Sequence, residues 1–261
     1  MTDEYTLADV AIVACADAFR GNGEIIASAF GAIPRVGAGL AKLTHTPELM
    51  MTDGEAFLVE EPRVIGGKVE TPELSGYMNY SRVFDIVWSG RRHVMIGPLQ
   101  IDRWGQTNLS AIGDYNSPKI AMLGMRGLPG NSINHINSMY AGHHSKRMFV
   151  EGEVDVVCGV GYNPDRWAPG MNRDAVDMRR IVTNLCVMDF EGPDHAIRVR
   201  SLHPGVTFDQ VQEATGFPLL RADDLGESPP PTPEEMTVIE RLDPKNTRAS
   251  AFKENPTFRR N

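Results

Sequence analysis

Cysteine is scarce in this sequence: three residues, Cys15, Cys158 and Cys186, in a chain of 261. They lie far apart among apolar neighbours. An odd count with no metal-ligand spacing speaks against a disulfide framework or a zinc site. Buried free thiols in a reducing compartment are the expectation. Positive charge is also in deficit. A net charge of −8 argues against a general nucleic-acid surface, although local arginines can still hold an anionic ligand. No apolar run approaches the roughly 20 residues that span a bilayer. The first residues, Met1-Thr-Asp-Glu4, are acidic where a secretion signal is basic. A cytoplasmic protein is expected.

What the chain does have is one run dense in glycine, Gly124-Met-Arg-Gly-Leu-Pro-Gly-Asn131, followed by Ser132-Ile-Asn-His135. Three glycines and a proline in so short a run forbid an ordinary helix or strand. The apolar segment before it, Lys119 to Leu123, reads as a buried strand, and Ile133 to Tyr140 as the start of a helix. A strand, a glycine-rich turn and a helix start would place backbone N–H groups where an oxyanion or phosphate is welcome. Arg126 adds a planar cationic fork. The alternative is a tight turn with a surface arginine.

The rest alternates helices and strands. Leu7 to Phe19 has an apolar helical face, with Leu7, Val10, Ala11, Ala14, Cys15 and Ala18 aligned. Glu24 to Ser28 reads as a short buried strand, and Val36 to Leu43 as a helix closed by Pro47. Gly31, Gly37 and Gly39 have the wrong spacing for a dinucleotide fingerprint. Leu49 to Thr52 reads as a strand running into Thr52-Asp-Gly-Glu55. The carboxylates Asp53 and Glu55 at a strand end are either reacting groups or a solvated turn.

Pro62 to Gly76 reads as a loop. Tyr80 to Trp88 reads as a helix burying Val83, Phe84 and Val87, and Val94 to Ile96 as a strand. His143-His144 is too bare for a metal site, so surface or packing roles are expected. Asp155 to Gly161 and Ile181 to Phe190 read as buried strands, and Ile197 to Arg200 as a half-buried one. Thr207-Phe-Asp-Gln210 and Thr232-Pro-Glu-Glu235 have helix-capping spacing. The stretch 1–225 reads as one α/β domain with a largely parallel sheet. The stretch 226–261 reads as a proline-rich linker, a short helix and a loosely held tail.

Several stretches together resemble the beta subunits of class I CoA-transferases, of the glutaconate CoA-transferase B type. They are Ala41 to Pro47, Gln100 to Asn108, Ile181 to Phe190 and Ser201 to Val206, in order between about Leu7 and Phe217. The resemblance implies an open α/β fold, an alpha subunit as partner, a heterotetramer, and an acyl-CoA site between subunits. It implies no cofactor beyond the CoA of the substrate, and no metal.

Transferases of this class carry Ser/Thr-Glu-(Asn/Ser)-Gly, whose glutamate attacks the acyl-CoA. Here Asp53 stands in its place, one methylene short. The set Thr52-Asp-Gly-Glu55, Arg126-Gly-Leu-Pro-Gly-Asn131, Gly192-Pro-Asp-His195 and Ser201-Leu-His-Pro-Gly205 is similar to a branch of steroid ring-opening CoA hydrolases from actinobacteria. That likeness implies hydrolytic carbon–carbon cleavage of a bicyclic indene-dione carboxyl-CoA. The catalytic candidates are then Arg126, Asp53 and Glu55. Gly127, Leu128, Pro129, Gly130, Asn131, Asn134 and His135 are candidates to bind substrate or CoA.

Overall fold

The computed structural model describes residues 3–52, 57–66, 73–89, 91–125 and 127–260. Seven strands form the central sheet: β1 (Ile26–Ala29), β2 (Arg92–Ile96), β3 (Ile136–Ala141), β4 (Asp177–Thr183), β5 (Cys186–Asp189), β6 (Arg198–Leu202) and β7 (Leu220–Glu227). They lie side by side in chain order. The β1–β2, β2–β3, β3–β4 and β6–β7 pairs are parallel, whereas β4–β5 and β5–β6 are antiparallel. The expected largely parallel sheet is present.

Consecutive strand residues point to opposite faces, and two apolar cores result. Ala27, Met95, Val182 and Val187 face a core built with helices α1 (Leu7–Asp17), α2 (Ala32–Thr44) and α6 (Pro233–Leu242). Val94, Ile96, Ile181 and Met188 face a second core with Phe149, Tyr162 and Phe217. Helices α1 and α2 pack closely because Gly37 has no side chain; a Cβ there would lie 2.6 Å from that of Cys15. Three further helices are α3 (Tyr80–Ser89), α4 (Leu128–Asn134) and α5 (Phe208–Glu213). Capping boxes at Thr6, Thr207 and Thr232 start α1, α5 and α6. All three cysteines are free and buried.

Several expectations are corrected. Lys119 to Leu123 is not a buried strand: Ile120–Ala121 pairs with Ala111–Ile112 in a surface ribbon, and Leu123 is 76% exposed. The expected helix from Ile133 to Tyr140 is the end of α4 followed by β3. The Pro62 to Gly76 loop ends in a strand, Leu74–Tyr77, of a three-stranded antiparallel sheet with Met51–Thr52 and Phe57–Val59. Phe84 lies on the exposed side of α3. The stretch 155–161 is irregular, joined to Thr107 by one bridge at Gly159. Ile181 to Phe190 divides into β4 and β5, a tight antiparallel pair.

The tail is not loose. Arg248 donates to Asp9 at 2.6 Å and to Asp243 at 3.3 Å, and Thr257–Arg259 pairs with Glu4–Thr6. No described helix is long and apolar enough to cross a membrane.

Candidate active site

The glycine-rich run folds as a turn leading into α4. Gly124 has φ +83°, a conformation that disfavours any side chain, and its N–H donates to the Leu109 carbonyl. Gly127 is the N-cap of α4, and Pro129 sits in its first turn. Gly130, more than Gly127, lets α4 lie against α3. A Cβ at Gly130 would stand 2.6 Å from Val87 Cγ1, and one at Gly127 would stand 3.4 Å from Val87 Cγ2.

The number of free N–H groups in this turn is smaller than the sequence implies. The Leu128 amide donates to Met125 and the Asn131 amide to Gly127, while Pro129 has none. Among the described residues, the Leu128 and Asn131 amides are thus committed within the turn itself. The Leu128 side chain is buried in the second core.

Below the turn lies a polar cluster at the start of β2 and β3. Arg92 is buried and its guanidinium donates to the Asn131 side-chain carbonyl. Its Nε meets no partner among the described residues, and burial lowers its pKa to about 10. Asn137 donates to the Asn131 and His135 carbonyls. Asn134 donates to the Val87 carbonyl. His135 is buried with neither ring nitrogen hydrogen-bonded among the described residues. Burial, then the charge of Arg92, lower its pKa, while the carbonyls of Ile86 and Val87 pull the other way. Burial and Arg92 together thus favour the neutral imidazole.

Beneath it, His93 bonds Asn22 through Nδ1 and Ser138 through Nε2, and burial with the charge of Arg179 lowers it to about 3. Asn131, Asn134 and His135 are thus brought together, and the side chains of Asn131 and Asn134 tie the turn to the sheet and to α3. Asp53, Glu55 and Arg126 lie outside the described residues.

Sequence reading missed two arginines. Arg35, in the first turn of α2, donates to the carbonyl of Thr52, the residue before Asp53. Arg92 stands between Arg91 and His93, and only the register of β2 against β1 marks it as the one turned inward. His144 is a packing residue: it stacks on Phe149 and bonds Thr183 and Thr215. Among the described residues, no cluster of His, Cys, Asp or Glu could hold a metal ion.

The chain is 46% identical over 249 residues to the cholesterol ring-cleaving hydrolase IpdB subunit of Rhodococcus jostii RHA1, covering 94% of this chain and 95% of that one. The chain belongs to the IpdB family. The IpdB subunit of Mycobacterium tuberculosis H37Rv is 44% identical, over 93% of this chain and 97% of its own. The crystal structure of R. jostii RHA1 IpdAB superposes with a TM-score of 0.89 at 44% identity, covering 96% of this chain and 99% of that one. Glutaconate CoA-transferase from Acidaminococcus fermentans superposes at 0.75 with 22% identity, over 93% and 96% of the two chains. The IpdB family fold is therefore the class I CoA-transferase fold. No protein-family model matches the chain.

Proposed function

We propose that this chain is the beta subunit of a heteromeric acyl-CoA hydrolase that opens a ring of a steroid-derived bicyclic indene-dione carboxyl-CoA. Membership of the IpdB family over nearly the whole chain carries this reading. The departure from the transferase pattern at Asp53 favours it over CoA transfer. The alpha partner, a heterotetrameric assembly and a cytoplasmic setting belong to the same proposal. CoA enters with the substrate, and no other cofactor is required.

The reaction is a retro-Claisen hydrolysis. Water adds to a ring carbonyl and its proton goes to a base. The adjacent carbon–carbon bond then breaks, leaving a carboxylate on one side and an enolate that takes up a proton on the other. A cation and N–H donors must meet the oxyanion and enolate. Arg126 supplies the cation, and the Gly127 and Gly130 amides supply the donors. Asn131 and Asn134 hold that turn in place from beneath, through Arg92 and Val87, and His135 lies buried beside them. Asp53 or Glu55 assists the water, with the principal base contributed by the alpha subunit.

The test is co-expression with the alpha subunit and incubation of the dione-CoA in ¹⁸O-water. Mass spectrometry should find a ring-opened product, heavier by one water, labelled in the new carboxylate and still joined to CoA. Transfer of CoA to an added acid with the ring intact would refute the reading. Arg126→Ala should lower kcat by about 10²–10³-fold, the effect of removing one oxyanion donor.

A further inference from the structure

A second polar site lies apart from the glycine-rich turn, between the end of α1 and the strands β4 and β6. A cavity of about 270 Å³ is lined by Asp17, Ala18 and four arginines, Arg20, Arg179, Arg180 and Arg200. It adjoins a larger cavity of about 470 Å³, which shares Asp17, Arg20, Arg180 and Arg200. The larger volume lies within the range of small-molecule sites.

The arginines are unequally neutralised. Arg20 is tied to Asp17 at 2.8 Å, and Arg179 to Asp177 at 3.2 Å. Arg180 reaches Glu191 only at 3.5 Å, and its Nε is buried without a partner among the described residues. Arg200 lies 3.6 Å from Asp189 and 4.0 Å from Glu191. Both of those carboxylates are already engaged more closely by Arg198. Cations gathered around one cavity repel one another, and an anion among them relieves that repulsion. The planar guanidinium fork matches phosphate oxygens two at a time. Asp224, Glu227 and Glu235 line the larger cavity only, so the arginine end is where an anion is favoured.

We propose that this arginine-lined cavity binds a phosphoryl group, with Arg180 and Arg200 as its principal donors. Two sources share that chemistry: a free phosphate or diphosphate, and the diphosphate of a CoA molecule.

The experiment is calorimetric titration of the purified alpha–beta complex with inorganic pyrophosphate, then with CoA. Saturable pyrophosphate binding is expected, weakened at least tenfold in Arg180→Gln/Arg200→Gln. Arg20→Gln, at an exposed residue, should weaken it by a smaller factor and tests the site should the double variant misfold. If CoA displaces pyrophosphate and loses affinity in the same variants, the site holds the CoA diphosphate. If pyrophosphate still binds beside saturating CoA, the site serves a free anion. Absence of pyrophosphate binding, or binding unchanged by all three substitutions, would overturn the proposal. Dissociation of the complex in the variants, read by sedimentation, with pyrophosphate affinity intact would instead assign the arginines to the subunit interface.

Discussion

Arg248 and Arg92 are both 8% exposed, and they are compensated in opposite ways. Arg248 faces two buried carboxylates, Asp9 and Asp243, and so joins the tail to α1 across 239 residues of sequence. Arg92 faces the amide of Asn131, has an Nε unmatched among the described residues and is pushed down to about 10. A buried charge that is fully paired becomes costly to disturb. One held by a neutral group carries a desolvation cost that nothing nearby offsets. The first arginine holds the fold together, while the second supports the turn that bears Arg126.

Substitutions can break or sharpen this contrast. Arg248→Ala strands two buried carboxylates and should destabilise the protein by about 3–5 kcal/mol in urea denaturation. Acid tests the polar cluster around Arg92 against the rest. His93 is lowered to about 3, His144 to about 3 and His203 to about 4, each chiefly by burial. A folded pKa below the unfolded value of about 6.5 means stability that is full above pH 6.5 and drains away below it, until the folded values are reached. Each histidine should then cost on the order of 1 kcal/mol per pH unit of acidification. His93→Gln should remove its own share of the slope of stability against pH between 6.5 and 4.5, on the order of 1 kcal/mol per pH unit; an unchanged slope would remove His93 from the account.

Gly130→Ala forces a methyl group onto Val87 and should cost about 1–3 kcal/mol, measured as a lowered thermal midpoint. Arg92→Met should cost the least stability, below about 1.5 kcal/mol, because it removes an expensive charge along with one hydrogen bond. Its effect should fall on turnover, with about a tenfold loss of kcat as the glycine-rich turn loses its support. If Arg92→Met destabilised the protein as much as Arg248→Ala, the contrast would fail.

Legibility in the sequence followed the range of the forces involved. The caps at Thr207 and Thr232 are set by groups three residues apart, and both were readable. The stretch from Ile133 to Tyr140 misled because Ile133, Ile136 and Tyr140 mimic a helical period, whereas β3 lies in the sheet interior and shows no clean alternation. The tail reads as loose because its composition is polar, and Asp9, one of the two partners of Arg248, is at the other end of the chain. The glycine-rich turn was visible as a turn. Its commitment of the Leu128 and Asn131 amides was not, since that depends on the geometry of the turn and the onset of α4. Arg92 could not be told from Arg91 without knowing the strand register.

The pairing of Glu4–Thr6 with Thr257–Arg259 sets a timetable for biosynthesis. The strand Glu4–Thr6 leaves the ribosome long before its neighbour Thr257–Arg259 has been made. Until then the Ala8 amide lacks Asn255, and Asp9 lacks the guanidinium of Arg248. A chain that stops short of Arg248 therefore keeps the glycine-rich turn but leaves α1 without its Arg248 and Asn255 contacts. Such products should be cut by proteases near α1 sooner than chains that carry residues 248–259.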